Sequence, residues 1–221
     1  MECLLEPAFV ALGMPVLWLE LIAFTLALAN IGCNVCEVHW GWPLSIAASG
    51  LYAWFFVHSG IYGEAGVNLF FAALALWGWW QWLRGRRRAV SEVADVVAVA
   101  GAAAPLRVAA VPRAGLVALP LAWLLLWGLC GLLLGRLTGS DVPWWDGFVT
   151  AGSIVGAVLL ARKYIENWPV WVVVNIASIG LFWHKALPLT TLLYAILLAL
   201  ACVGWWQWRR KLPLPAGPAG A

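Results

Sequence analysis

Asn175 and Ser178 sit in the otherwise apolar stretch Trp168–Phe182, and their neighbours suggest what they could do. Trp168, Trp171, Asn175, Ser178 and Phe182 recur at spacings of three and four, which places them on one face of a helix. A carboxamide donates and accepts hydrogen bonds at once. Flat indoles stack on heterocycles and attract cations through their faces, by about 0.5–2 kcal/mol each. Together they suit a small molecule with an aromatic ring and polar substituents. An amide near the middle of an apolar span costs several kcal/mol if left unsatisfied, so it turns to the bundle interior or a cavity. The plainer alternative for Asn175 is a bond to a neighbouring helix. The rings on the same face favour a ligand.

These residues belong to a duplication. GWWQW occurs at Gly78–Trp82 and again at Gly204–Trp208, an offset of 126. The same ungapped offset carries Trp42-Pro43 onto Trp168-Pro169, Trp18 onto Trp144 and Arg84 onto Arg210. Three separated landmarks at one offset mark an internal repeat. In a membrane chain, such a repeat points to a transporter with its site between the halves. Shifted back by the offset, the face around Asn175 becomes Trp42, Ser45, Ser49, Tyr52 and Phe56. Ser45 and Ser49 stand where the second copy has Trp171 and Asn175, so the site is expected to be asymmetric.

The repeated motif adds Gln81 and Gln207, whose amides suit a neutral amide or a sugar hydroxyl. Its tryptophans lie just before Arg84 and Arg209, where aromatic belts form. A belt explains tryptophan better than glutamine. Either Trp80 with Trp206 or Gln81 with Gln207 is expected to turn inward, the remaining rings anchoring to the interface.

The elements that must position these groups are membrane spans. Of 221 residues, 64% are hydrophobic and 10% charged, with mean hydropathy +0.90; soluble domains carry about 25% charged residues. No cleavable signal peptide is expected from the acidic start MECLLEP. Seven segments reach the length of about 20 residues that crosses a bilayer as a helix: 14–33, 41–58, 65–83, 114–135, 144–162, 168–184 and 187–208. The expected fold is all-α and polytopic, in a 3+1+3 arrangement of parallel repeats. Residues 1–13 form an extracytoplasmic segment, 14–83 the first repeat and 84–113 a cytoplasmic loop with room for one short interfacial helix. Residues 114–135 form the linker helix, 140–208 the second repeat and 209–221 a disordered tail. Eleven of the thirteen Lys and Arg fall on the C-terminal side, leaving Arg136 and Lys185 opposite. The positive-inside rule then places the C-terminus in the cytoplasm and the N-terminus outside. Topology accounts for the basic residues without a nucleic-acid partner.

Other chemistry finds little support. Cys33, Cys36 and His39 make an incomplete ligand set for zinc, so no metal is expected. Glu20 and Asp146 are equivalents inside the first and fifth spans, and are secondary candidates for a cationic substrate. There is no HExxH, GxSxG or Gly-rich phosphate loop, hence no sign of an enzyme or of a cofactor.

Glu166-Asn167-Trp168-Pro169-x-Trp171-x3-Asn175, followed by Gly204-Trp205-Trp206-Gln207-Trp208, resembles the PnuC family of bacterial vitamin transporters. The resemblance spans all seven helices. It implies a SWEET-like 3+1+3 layout in the inner membrane, a homotrimer, and facilitated diffusion of nicotinamide riboside trapped by cytoplasmic phosphorylation. It also implies a central site among the helices of both repeats, using the Trp168, Trp171 and Asn175 face and the two WWQW motifs with Trp80, Gln81, Trp206 and Gln207. This overlaps the positions reached from the helical period and the repeat offset, Ser178, Trp42, Ser49 and Tyr52 among them. Thiamine and riboflavin, carried by related proteins, are the alternative cargoes.

Overall fold

A computed structural model describes residues 6–11, 14–58, 62–94, 107–138, 140–184 and 188–212. Its helices are α1 (Trp18–Val35), α2 (Gly41–His58), α3 (Tyr62–Ala94), α4 (Arg113–Leu137), α5 (Pro143–Ala161), α6 (Asn167–His184) and α7 (Pro188–Arg209). The all-α, seven-helix membrane architecture is therefore present, in the chain order three, one, three. Among the described residues α4, α5 and the Thr190–Arg209 part of α7 are each long and apolar enough to cross a membrane.

Two stretches differ from the sequence expectation. Residues Met14–Leu17 are not the start of α1. They form β2, paired antiparallel with β1 (Pro7–Ala11), with Val10 opposite Pro15. Pro15 disfavours helical backbone at Met14, and the helix waits until Trp18. At the other end of the first repeat, α3 does not stop near residue 83 but runs through Arg84 and Arg86–Arg88 to Ala94. Arg, Ala and Glu are good helix formers, and nothing requires a helix to end where the bilayer does. Residues 95–106 of the expected loop, and 213–221 of the expected disordered tail, lie outside the described residues.

The duplication reaches into the backbone. Displaced by 126, α1 ends where α5 ends, α2 matches α6 at both ends, and α3 starts where α7 starts. Glu37 has φ 57° and Lys163 φ 55°, the two left-handed non-glycine residues among those described. Each is the C′ residue of a Schellman cap. The Val38 amide donates to the Cys33 carbonyl (2.7 Å) and Glu37 to Asn34 (3.2 Å). In the second copy Tyr164 donates to Leu159 (2.9 Å) and Lys163 to Leu160 (3.0 Å).

The chain divides into two compact units, Met1–Leu76 and Trp77–Ala221. The first holds the hairpin, α1 packed on α2, and the first part of α3. In the second, α5 packs on α4 and α6, and α6 packs on α7. Small residues on α5 make this possible. A Cβ on Gly147 would stand 2.7 Å from the Gly131 nitrogen of α4, and one on Gly152 would meet both Trp123 of α4 and Val174 of α6. The Trp123 and Trp127 indoles then donate to the Phe148 and Trp144 carbonyls of α5 (3.2 and 2.7 Å). At the α5–α6 turn, Ala109 pairs with the extended backbone around Tyr164 (Ala109 N to Lys163 O 3.1 Å, Ile165 N to Ala109 O 2.9 Å). The Val111 amide donates to Glu166 Oε2 at 3.0 Å. The segment entering α4 is thereby strapped to the turn that aims α6.

Candidate functional site

α6 opens on Asn167-Trp168-Pro169, with the proline in the first turn where a missing N–H costs nothing. From that start the helical period buries Trp168, Asn175 and Ser178, partly covers Trp171 and Phe182, and leaves Val173, Ile176 and Trp183 exposed. The Trp171 ring lies against Gly156 of α5, where an added Cβ would be 3.0 Å from Cε2. Trp168 fills the space beside Gly204 of α7, where a Cβ would come within 2.4 Å of the ring, and meets Trp208 edge to face at 5.4 Å. The glycine that opens the second GWWQW thus makes room for the tryptophan that opens α6.

Several polar atoms on this face lack protein partners. Trp168 Nε1 and Ser178 Oγ are buried without a hydrogen bond, as is Asn167 Oδ1, although Asn167 Nδ2 donates to the Tyr164 carbonyl. No hydrogen bond joins the Asn175 side chain to another described residue. Tyr194 of α7 brings its hydroxyl towards Ser178 without closing a bond, and its ring stacks on Phe182 at 5.1 Å. An orphaned buried donor or acceptor costs about 1–3 kcal/mol. A row of such groups between aromatic rings marks a candidate binding face. The arrangement can stack a ring and exchange hydrogen bonds with its substituents.

The two WWQW segments divide between inside and outside. Trp82 and Trp208 are 3% and 0% exposed, Trp80 and Trp206 46% and 55%. The second tryptophan of each copy therefore turns outward, with Arg84 and Arg210 stacked on the rings of Trp80 and Trp206. Gln81 and Gln207 are half-buried. The buried ring is the fourth residue of each WWQW segment, a position that the sequence alone assigns to the interface. Trp82 donates from Nε1 to the Leu160 carbonyl at 3.2 Å and carries Lys163 Nζ 4.7 Å above its ring.

In the first unit Trp42 is buried, and Ser49 and Tyr52 are half-buried. An unanticipated polar cluster stands beside them in sequence. Asn34 Nδ2 donates to Asn30 Oδ1 at 2.9 Å, Asn34 Oδ1 is buried without a partner, and both oxygens lie 3.0 Å from where a Gly41 Cβ would be. The equivalents of Asn30, Asn34 and Gly41 are Gly156, Leu160 and Asn167. Among the described residues the first repeat thus has its buried amide, Asn34, on α1, and the second has Asn167 and Asn175 on α6. The signal available in the sequence was the Asn-x3-Asn spacing in an apolar span.

The remaining candidates have structural surroundings. Asp146 accepts from Ser140 Oγ in the first turn of α5, a favourable end for a carboxylate. Cys33 and Cys36 lie in the cap of α1, and no group of three His, Cys, Asp or Glu able to hold a metal occurs among the described residues. The Glu20 side chain lies outside what is described.

Comparison with known proteins gives this geometry a context. Residues 17–210 match the nicotinamide mononucleotide transporter family. The riboflavin/roseoflavin transporter RibM of Streptomyces davaonensis is 27% identical over 96% of this chain and 95% of its own length. The nicotinamide riboside transporter PnuC of Escherichia coli is 25% identical over 89% of this chain and 87% of its own. Among solved structures, the crystal structure of the vitamin B3 transporter PnuC superposes with a TM-score of 0.65 at 22% identity, covering 88% of this chain and 81% of that one. These relatives are transporters, not enzymes.

Proposed function

The chain belongs to the nicotinamide mononucleotide transporter family, and from that premise we propose that this vitamin transporter carries nicotinamide riboside by facilitated diffusion. The single observation that carries the reading is the α6 face, where Trp168, Trp171, Asn175 and Ser178 hold rings and unpartnered polar atoms together. Nicotinamide riboside offers a cationic aromatic ring, a carboxamide and ribose hydroxyls. The indoles stack on the ring, and the Asn175 amide pairs with the carboxamide. Gln81 and Gln207, whose amides donate and accept at once, are assigned to the sugar, and Trp42, Ser49 and Tyr52 of the first repeat are proposed from the sequence spacing alone. Trp80 and Trp206 are assigned to the membrane interface on account of their exposure.

Transport proceeds by alternating access of the two repeats, and phosphorylation of the cargo in the cytoplasm draws it inward. The protein resides in the bacterial inner membrane as a homotrimer, with the N-terminus outside and the C-terminus inside. The excess of basic residues on the C-terminal side supports that orientation.

A second reading is favoured by the similarity to a riboflavin transporter over nearly the whole chain. Ser45 and Ser49, smaller than their equivalents Trp171 and Asn175, would leave room for a larger ring system. Competition binding with nicotinamide riboside, riboflavin and thiamine separates the two. Tight binding of the riboside alone is expected, and preference for riboflavin would replace the first reading by the second. In proteoliposomes, accumulation driven by an imposed proton gradient would exclude facilitated diffusion.

A further inference from the structure

Arg84 and Arg210 are repeat equivalents, and each lays its guanidinium on the indole four residues earlier. Arg84 Cζ stands 3.8 Å from the centroid of the Trp80 ring, and Arg210 Cζ 3.5 Å from that of Trp206. Both arginines are exposed, and about half of each indole is too. A guanidinium stacked in this way uses its faces on the ring and keeps its fork of N–H donors free, the geometry that grips a phosphate bidentately. Among the described residues no carboxylate pairs with either arginine. The apolar span of α7 runs from Thr190 to Arg209 and ends at the turn that carries Arg210. That is the depth where acyl chains give way to headgroups. Arg209, also exposed, adds to the attraction for an anionic leaflet.

We propose that Trp80–Arg84 and Trp206–Arg210 are two equivalent clamps for the phosphate of an anionic phospholipid, one on each repeat. The guanidinium takes the phosphate, and the exposed indole beneath it lies along the glycerol and upper acyl chain. The same phosphate chemistry could come from a free anion in water. The half-exposed apolar ring under each arginine favours the lipid, since a free phosphate leaves that surface uncovered. The inference is independent of which vitamin is carried.

Native mass spectrometry of the detergent-purified protein, titrated with phosphatidylglycerol or phosphatidylcholine, tests it. Wild type should retain two phosphatidylglycerol molecules per chain in preference to phosphatidylcholine. Arg84→Gln and Arg210→Gln should each remove one of them, with apparent affinity at that site falling about fivefold per arginine lost. These single variants keep the test readable should the double variant not fold. Arg84→Lys with Arg210→Lys keeps the charge but loses the fork, and should behave like the glutamine variants. Lysine variants that retain lipid like wild type would overturn the clamp, leaving surface charge alone. Displacement of the lipid by equimolar inorganic phosphate would overturn the lipid as occupant. Arg136→Gln, at the end of α4, should change nothing, and an equal loss there would also count against the site.

Discussion

Glu37 and Lys163, 126 positions apart, hold the same left-handed backbone conformation, with φ 57° and 55°. Neither is glycine, and each ends the first helix of its repeat by the same pair of cap hydrogen bonds. A left-handed L-residue costs roughly 1–2 kcal/mol, yet both copies keep it. The turn leads into α2 in one copy and α6 in the other, and the repeat has preserved its cap conformation.

Lys163→Gly relieves about 1–2 kcal/mol of backbone strain but removes the ammonium from the Trp82 face, about 0.5–1 kcal/mol at a partly exposed site. The expected result is a small net stabilisation, about 0–1.5 kcal/mol by that difference. Lys163→Val, β-branched at the same φ, should lower the melting temperature clearly. Thermal unfolding in detergent compares the two, and a valine variant as stable as wild type would contradict the strained cap.

The α4–α5 contact should tolerate no side chain at Gly147. A Cβ there meets backbone, 2.7 Å from the Gly131 nitrogen and 2.9 Å from its Cα. Backbone cannot swing aside as a rotamer does, so Gly147→Ala is expected to cost about 1–3 kcal/mol. Gly128→Ala in α4, with nothing within 4 Å, is the control and should be neutral or slightly stabilising. Equal melting temperatures for the two variants would refute the close approach.

Asn175→Ala should weaken riboside binding about tenfold, the loss of about 1.4 kcal/mol, through the hydrogen bonds it can no longer exchange with the carboxamide. The melting temperature should hold, because the amide bonds no other described residue. Calorimetry returning the wild-type affinity would take Asn175 out of the site.

Gly204→Ala acts on the proposed site from α7. Its Cβ would fall 2.4–2.6 Å from three atoms of the Trp168 ring. The fully buried indole must move, and riboside affinity should fall with it. Pairing Gly204→Ala with Trp168→Phe should restore part of the stability lost, since the smaller ring vacates the contact. Additive losses in that double variant would separate Gly204 from Trp168.

Glu166→Ala leaves the Val111 amide without its acceptor and should cost about 1–3 kcal/mol. Amide hydrogen exchange at Val108, Ala109 and Val111 should quicken, while α4 beyond the strap stays protected. Exchange unchanged at those three residues would mean that the backbone pairing at Ala109 alone holds the segment.

Composition and spacing alone determined that the chain is a membrane protein of seven helices, that it is duplicated at one offset, and that Trp168, Asn175 and Ser178 share a face. Those conclusions rest on bulk apolarity and on the 3.6-residue period, both carried by the order of residues. The period also separates Trp80 from Trp82 by about 200° around the helix, so one of them must point in and the other out. Which one does so depends on what stands opposite: Trp82 reaches the Leu160 carbonyl, whereas the exposed Trp80 carries the Arg84 guanidinium on its ring. The strap at Glu166 and the seating of Trp168 against Gly204 likewise join residues from different helices. No local pattern encodes such pairs, because their energy exists only once packing brings the partners within a few ångströms. Tertiary structure alone decided which ring of each motif is buried and which is exposed.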